Sequence, residues 1–165
     1  MESLIRNTAY KVWIAHLVNG AYSRGQEQFD SGYININGKK VSRVNLVGCV
    51  IDKFTGENYI SANLDDSSGV ISLKLWQENT SLFLNVDVGD LVLIVGKLKE
   101  YNNSRYVTPE VVRKLDNPLW LKIRKLELTR EYGNLTQTEA QNFKKIEYTE
   151  ETAMNVVEEK VTDDI

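Results

Sequence analysis

Apolar and polar side chains alternate along most of residues 33–115, and short turn sequences interrupt the alternation. A period of two is typical of β-strands that bury one face. Glycine, asparagine and aspartate dominate the interruptions, as they do in turns that join strands; Asn37-Gly38 and Thr55-Gly56 are examples. The pattern predicts strands near 33–36, 41–53, 58–65, 70–76, 90–98 and 105–114.

Two residues and one segment indicate how these strands are arranged. Gly48 lies inside the long strand 41–53, where glycine permits the sharp bend that a barrel corner needs. Pro109 cannot donate a ladder hydrogen bond, so it marks an edge or a bulge. After the third barrel strand, the apolar residues that fit a short helix (78–87) are Leu82, Phe83 and Val86. Together these features predict an all-β core, a five-stranded OB-fold barrel with a helix between its third and fourth strands.

A change of period after Leu115 predicts a C-terminal helix. Asn117 is a favourable N-cap and Pro118 a favourable first helical residue, so we expect a helix from 118 to about 131. Its apolar side chains form two stripes on nearly opposite sides. The stripes are Leu119, Ile123 and Leu126, and Leu121, Leu128 and Tyr132, with Trp120 at the margin. One barrel can cover only one stripe, so the helix is expected to have a second neighbour, as in a helix bundle.

The predicted organisation has four parts: an N-terminal extension (1–32), the barrel domain (33–116), an oligomerisation helix (117–132) and an acidic tail (133–165). The net charge of −3 hides an uneven distribution. Residues 1–146 carry 19 basic and 16 acidic side chains, a balance of +3, and residues 147–165 carry 1 and 7, a balance of −6. The tail has a capping-box pattern from Thr136 to Glu139, and we expect short helices or disorder there.

Residue types that usually carry catalysis or bind metal are sparse. The chain has one histidine, His16, and one cysteine, Cys49, and neither has partners at metal-ligand spacing. Asp65 and Asp66 lie in a turn, where aspartate commonly accepts local backbone hydrogen bonds. The sequence contains no phosphate-binding glycine motif. We therefore expect no enzymatic activity, no metal and no cofactor.

The sequence also bears on the compartment. A lone cysteine excludes an internal disulfide, and the start MESLIRN lacks the basic and apolar regions of a secretory signal. No apolar run approaches the roughly 20 residues that span a bilayer. An intracellular protein without a membrane role is expected.

The hairpin 59–76 sorts its side chains onto two faces, because successive residues of a strand point in opposite directions. The set that must face the core is Ile60, Ala62, Leu64, Ile71, Leu73 and Leu75. Trp76 therefore shares the outer face with Lys74 and Tyr59. Exposed aromatic rings beside ammonium groups are typical of surfaces that bind single-stranded nucleic acid. In the alternative interpretation, Trp76 folds over the barrel rim or under the helix that follows.

Two further segments place aromatic and basic residues beside this face. The segment joining the last two strands contains Lys97, Lys99, Tyr101, Arg105 and Tyr106. The loop after the first barrel strand contains Lys53 and Phe54. In OB folds such loops flank the binding face, although a plain polar hairpin is the simpler interpretation of the first segment.

Four sequence stretches follow one another along the chain: VNLVGCVID, NLDDSSGVISLKLW, VGDLVLIVGKLKEYNNSRYV and NPLWLKI. In order and spacing they resemble the middle subunit of replication protein A, the heterotrimeric single-stranded-DNA-binding protein of eukaryotes and many archaea. The upstream stretch YKVWIAHLVNGAYSRGQEQFDSGYI resembles the leader of archaeal members. The resemblance covers about residues 9–130.

This resemblance implies a subunit that binds single-stranded DNA weakly through its barrel, with bases stacked on Trp76 and Tyr101. It also implies that the C-terminal helix joins two other OB-fold subunits in a three-helix bundle. The implied roles are DNA replication, repair and recombination, in the archaeal cytoplasm or the eukaryotic nucleus. The expected DNA contacts are Trp76, Tyr101, Lys74, Tyr59, Lys53, Phe54, Lys99, Arg105 and Tyr106. The expected subunit interface is Leu119, Trp120, Leu121, Ile123, Leu126 and Leu128.

One departure from the family and two alternatives accompany this interpretation. Family members usually continue into a winged-helix domain, and the 35 residues from 131 to 165 are too few to form one. Recruitment of other proteins through such a domain is therefore not expected. The related barrel of telomere-end capping complexes is one alternative. An architectural subunit that holds partners without touching DNA is the other.

Overall fold

The computed structural model describes residues 7–25 and 32–135. Its elements are β1 (Ala9–Lys11), α1 (Ile14–Asn19), β2 (Tyr22–Ser23), β3 (Tyr33–Ile36), β4 (Lys39–Val41), β5 (Arg43–Thr55), β6 (Tyr59–Asp65), β7 (Val70–Trp76), a 3₁₀ helix (Gln77–Phe83), β8 (Leu91–Tyr101), β9 (Ser104–Leu115) and α2 (Leu119–Tyr132). The predicted capping box at 136–139 and the short helices of the acidic tail lie outside the described residues. Within the described ranges, the helices lack the length and apolar character of a membrane-spanning segment.

Five strands close into a barrel in the order β5, β6, β7, β9, β8. Neighbours run antiparallel except β7 and β9, which pair in parallel at Ser72 and Tyr106. The ring closes where residues 43–49 of β5 pair with residues 91–97 of β8. Closure gives each of the five barrel strands a paired neighbour on both sides. The predicted five-stranded OB-fold barrel is confirmed.

Strand β5 serves two neighbours because it bends. Its first part pairs with β8, and from Cys49 onward it pairs with β6, with an irregularity between Val50 and Asp52. A Cβ at Gly48 would lie 2.7 Å from the backbone oxygen of Asp65 on β6. Only glycine fits so close an approach, which agrees with the bend expected at this residue.

Pro109 lies at a second irregularity, on β9. Val95 pairs with Val111, but the next residue, Gly96, pairs with Pro109, so Glu110 is the extra residue of the bulge. The proline therefore sits where the ladder is already interrupted. The predicted bulge is confirmed.

Burial alternates residue by residue along β6 and β7, as the two-residue period predicts. The helix after β7 is a 3₁₀ helix that ends at Phe83, shorter than the predicted 78–87 segment. It packs against β6, β7 and β9. Phe83 is fully buried, and Val86 enters the core from the turn that follows. The expected packing of this segment is confirmed.

The N-terminal extension packs on the barrel. Strand β1 runs parallel to β5, and Ile14 and Leu17 of α1 join the barrel core. The turn between β6 and β7 holds the start of α1: the Ile14 N–H donates to Asp66 Oδ2 at 2.9 Å, and the Ala15 N–H donates to Ser68 Oγ at 3.0 Å. Burial raises the pKa of Asp66, against the lowering effect of its hydrogen bonds. Asp66 thus adds a tertiary contact to the predicted local ones.

Strands β2, β3 and β4 form a separate antiparallel sheet, here called the small sheet. The predicted strand 33–36 matches β3. The predicted strand 41–53 is divided, because β4 ends at Val41 and β5 begins at Arg43. At this point the chain leaves its pairing with β3 and joins β8 in the barrel.

The C-terminal helix α2 ends at Tyr132, close to the expected end. The Leu119 N–H donates to Asn117 Oδ1 at 2.9 Å, which confirms the capping role of Asn117. Arg124, buried on the helix, donates to the backbone and side-chain oxygens of Asn45 on β5 at 2.8 and 2.9 Å. A charge-assisted pair of hydrogen bonds therefore fixes the helix on the barrel.

Candidate nucleic-acid interface

Trp76 lies on the outer face of the barrel sheet, as the last residue of β7. Leu73 and Leu75 of the same strand are fully buried, so the alternation turns the indole outward. The side chain is 43% exposed. This exposure favours the outward orientation over the interpretation in which Trp76 folds over the barrel rim or under the following helix.

Two tyrosines flank this indole and complete the aromatic cluster, defined as Tyr59, Trp76 and Tyr106. Tyr59 is the cross-strand partner of Trp76 on β6, and the ring centroids lie 5.5 Å apart. Tyr106 comes from β9, with its centroid 6.0 Å from that of Trp76 in an edge-to-face arrangement. These separations are in the range of favourable aromatic pairs. The three rings fix one another on the outer face.

Two lysines accompany the cluster. Lys74 Nζ lies 4.7 Å from the ring centroid of Tyr106, within the range of a cation–π contact. Lys99 is the cross-strand partner of Tyr106 on β8 and shares its outer face. The outer face therefore combines flat aromatic rings with positive charge, as a ligand with bases and phosphates requires.

A polar row runs across the same face. Asp52, Asn63 and Ser72 are consecutive cross-strand partners on β5, β6 and β7. The Ser72 hydroxyl donates to Asn63 Oδ1 at 3.0 Å, and Asn63 Nδ2 donates to Asp52 Oδ2 at 3.5 Å. Asp52 is an acidic group on this face, so it works against phosphate close to β5.

Phe54 and Tyr101 are the most exposed aromatic side chains of the site, at 63% and 68%. Phe54 is paired with Ser61 of β6, on the outer face. Tyr101 ends β8 beside a two-residue turn, Asn102-Asn103, in which both residues have positive φ, at 49° and 59°. Such turns join tightly paired strands. The segment predicted as a loop is therefore an extended hairpin that carries Tyr101 at its tip.

Lys53 and Arg105, two of the predicted DNA contacts, are bound within the protein. Lys53 Nζ donates to the carbonyls of Phe83 and Val86 at 3.2 and 2.6 Å. Arg105 Nη1 donates to the carbonyl of Leu17 at 2.8 Å and to that of Val18, at the end of α1. Its Nε also lies 3.4 Å from the Glu100 carboxylate. Hydrogen bonds within the protein therefore hold both cations, and these bonds fix structural elements in place.

The two apolar stripes of α2, the predicted interface helix, have different surroundings. Leu128 is buried against Trp13 and Ala15, and Leu121 is half-buried, so the N-terminal extension covers this side. Leu128, placed in the subunit interface from the sequence, is therefore occupied within the chain. The exposed apolar side chains are Leu119, Trp120, Ile123 and Leu126.

Ion pairs tie the covered side of α2 to β1 and β4. Lys11 Nζ lies 2.9 Å from the Glu127 carboxylate, and this hydrogen bond lowers the pKa of Glu127. Lys39 pairs with Glu131 at 2.6 Å in the same way. The Tyr132 hydroxyl donates to the Lys11 carbonyl at 3.0 Å. In the described ranges, His, Cys, Asp and Glu form no cluster that could hold a metal ion.

The family described as "OB-fold nucleic acid binding domain" matches residues 44–115. An uncharacterized protein of Methanocaldococcus jannaschii is 29% identical over 95% of this chain and 66% of its own length. A 32 kDa subunit of replication protein A from Oryza sativa is 30% identical over 56% of the chain and 32% of the relative. CST complex subunit STN1 of Mus musculus is 24% identical over 72% of the chain and 39% of the relative. The chain spans between about a third and two thirds of these relatives.

Solved structures agree with this fold. A chain of a replication protein A heterotrimer bound to single-stranded DNA gives a TM-score of 0.61 at 17% identity, over 76% of this chain and 95% of that one. A chain of the Stn1-Ten1 complex of S. pombe gives a TM-score of 0.65 at 16% identity, over 82% of this chain and 99% of that one. The resemblance to the replication protein A middle subunit is confirmed, and a comparable likeness to STN1 stands beside it.

Proposed function

We propose that this chain is the single-stranded-DNA-binding subunit of a replication-protein-A-like heterotrimer that acts in DNA replication, repair and recombination. The observation that carries the proposal is the aromatic cluster on the outer face, flanked by Lys74 and Lys99. A protein that used this sheet only for its own stability would not need large rings turned toward solvent. The setting would be a DNA-containing compartment, the archaeal cytoplasm or the nucleus.

Binding would combine stacking with charge. Bases would stack on Trp76 and on the exposed rings of Phe54 and Tyr101, each worth roughly 1–3 kcal/mol per base. Phosphates would lie near Lys74 and Lys99. The face carries few cations and also the acidic group of Asp52, so the affinity for DNA would be modest. It would fall as the salt concentration rises.

The chain contains a matched pair of tryptophans for the test. Trp76 and Trp120 are similarly exposed, at 43% and 51%, but Trp120 lies on α2. Anisotropy of a labelled oligothymidine, at low salt, should show Trp76→Ala binding about 5- to 150-fold more weakly, the equivalent of about 1–3 kcal/mol. Trp120→Ala should bind like the wild type. Equal affinities for all three proteins would refute the proposed site.

A telomere-capping subunit is the second candidate, supported by the likeness to STN1 in both sequence and fold. Both candidates share the binding surface and differ in their partners. Mass identification of proteins that co-purify with the native chain would separate them. Recovery of the other replication protein A subunits would support the first candidate, and recovery of capping proteins would support the second.

An architectural subunit would hold partners without touching DNA. The exposed stripe on α2 suits either role, because apolar side chains on a helix that is already fixed on its barrel are available to a second neighbour. We propose that this stripe packs against two other OB-fold subunits. Absence of oligothymidine binding at low salt, by the chain and by its native complex, would favour the architectural role.

A further inference from the structure

The small sheet and the segments around it carry more basic than acidic side chains. Residues 7–25 and 32–51 contain five basic residues and no aspartate or glutamate, and two acidic residues, Glu27 and Asp30, lie between these ranges in the sequence. The basic residues in these ranges are Lys11, Arg24, Lys39, Lys40 and Arg43. A run of this kind attracts an anionic ligand unless other parts of the chain neutralise it.

Three of the five cations are neutralised by acidic side chains. Lys11 pairs with Glu127, Lys39 with Glu131, and Arg43 with Glu110. Arg24 and Lys40 have no acidic partner within the described residues. Among the residues that the structure describes, these two cations are therefore left available to phosphate.

Lys40 also has an aromatic neighbour on its own face of the small sheet. Ile34 and Val41 are cross-strand partners and are fully buried, so the residues next to them point outward. Tyr33 and Lys40 are such residues, and Lys40 Nζ lies 4.9 Å from the Tyr33 ring centroid. The same combination occurs in the barrel, where Lys74 Nζ lies 4.7 Å from the ring centroid of Tyr106.

The small sheet continues directly into the strands that carry the barrel site. The Leu98 N–H of β8 donates to the Ser42 carbonyl, between β4 and β5, at 2.9 Å. Lys99 and Tyr101 follow along β8. Tyr22 lies on β2, another strand of the small sheet. Burial and then the charge of Glu100 on β8 raise the pKa of Tyr22, so β2 also lies within electrostatic range of β8.

We propose that Arg24, Tyr33 and Lys40 form a second segment of the single-stranded-DNA path, which continues from the barrel face onto the small sheet. A base would stack on Tyr33, and the phosphates beside it would meet Lys40 and Arg24, the residue that follows Ser23, the cross-strand partner of Tyr33. This inference rests on the proposed function, because the small sheet would lengthen a site that begins at the aromatic cluster. It assigns the small sheet, together with Arg24 of the N-terminal extension, a role in how many nucleotides the protein covers.

The length of the oligonucleotide separates the two segments. Full-length wild type, Arg24→Gln/Lys40→Gln and Tyr33→Ala would be titrated with oligothymidines of increasing length, at several salt concentrations. Lys122→Gln/Lys125→Gln, which removes two cations from α2, is the matched control. We expect Arg24→Gln/Lys40→Gln and Tyr33→Ala to bind the shortest oligomers like the wild type. Both variants should lose the additional affinity that the wild type has for longer oligomers. For the longer oligomers, Arg24→Gln/Lys40→Gln should reduce the salt slope by about 1.4, which is roughly 0.7 for each lost phosphate contact.

Each other outcome overturns the inference in a recognisable way. Wild-type affinity at every length would refute the second segment while leaving Trp76 and the proposed function intact. An equal loss at every length, the shortest included, would show that the changes disturb the barrel site itself. Unchanged DNA binding with loss of a co-purifying subunit would assign the patch to a protein partner. If the wild type binds no oligomer, the proposed function fails and this inference fails with it.

Discussion

The ring of Tyr106 meets the indole of Trp76 edge to face, with centroids 6.0 Å apart, although β9 and β7 are separated by a helix and another strand. The contact exists because β7 and β9 pair in parallel, with Tyr106 opposite Ser72. Barrel closure, and not local sequence, therefore brings Tyr106 to the hairpin pair of Tyr59 and Trp76. The site should be sensitive to changes at Tyr106 as well as at Trp76.

Tyr106→Ala tests this dependence. The change removes a ring that both supports Trp76 and contacts Lys74, so we expect oligothymidine affinity to fall by about 5- to 150-fold, corresponding to about 1–3 kcal/mol of lost stacking. Tyr106→Phe keeps the ring and should stay close to wild type. Isothermal titration of the three proteins provides the comparison. A loss as large in the phenylalanine variant as in the alanine variant would show that the hydroxyl, not the ring, matters.

Arg105→Gln separates positioning from phosphate binding. Arg105 holds the start of β9 on the carbonyls of α1, so its loss should weaken DNA binding through a displaced hairpin while the salt dependence is unchanged. Lys99→Gln removes a cation from the outer face and should lower the salt slope by about 0.7. Affinities measured over a range of salt concentrations distinguish the two. A lower slope in Arg105→Gln would restore this residue to the set of phosphate contacts.

Much of this site follows from the two-residue period. Alternation places Trp76 and Lys74 outside because the apolar residues between them must be inside. Lys53 was expected in the loop after the first barrel strand, but β5 continues to Thr55, and beyond the irregularity between Val50 and Asp52 Lys53 lies opposite Ala62, a buried residue. No sequence signal marks that irregularity.

Contacts between distant segments explain the other differences. Arg105 was assigned to the DNA surface because its segment was expected to flank the binding face, and Leu128 to the subunit interface because it lies on the helix with two apolar stripes. Both are engaged by the N-terminal extension, through the carbonyls of Leu17 and Val18 and through Trp13 and Ala15. The extension was predicted as a separate part, and its docking depends on tertiary contacts. The adjacent residues Lys39 and Lys40 are visible in the sequence. The sequence does not show that Lys39 pairs with Glu131 while Lys40 contacts the ring of Tyr33.

The attachment of α2 should weaken in acid. The Lys11 hydrogen bond lowers the pKa of Glu127 below its ordinary value of 4.5, so the stabilisation is fully present above that value and is lost as pH falls through the lowered pKa. Thermal unfolding followed from pH 7 to 3 should show a steeper loss of stability in the wild type than in Glu127→Gln, which no longer titrates there. Parallel profiles would mean that this ion pair does not couple α2 to folding.

Ile123→Asp probes the exposed stripe of α2. A charge in the middle of an apolar interface should dissociate the assembly, whereas the barrel should keep its unfolding temperature because Ile123 is exposed in the single chain. Lys122→Asp, one residue away and also exposed, is the matched control. Light scattering of the native complex reports the mass of the assembly. An unchanged mass for Ile123→Asp would remove the stripe from the subunit interface.

The fluorescence of Trp76 itself gives the most direct test of DNA binding. In a Trp120→Phe protein, the remaining tryptophans are Trp76, which is exposed, and Trp13, which is buried. Titration with oligothymidine at low salt should quench the exposed indole to a saturating level, and added salt should reverse the quenching. Emission that stays constant throughout the titration would contradict the assignment of this face to single-stranded DNA.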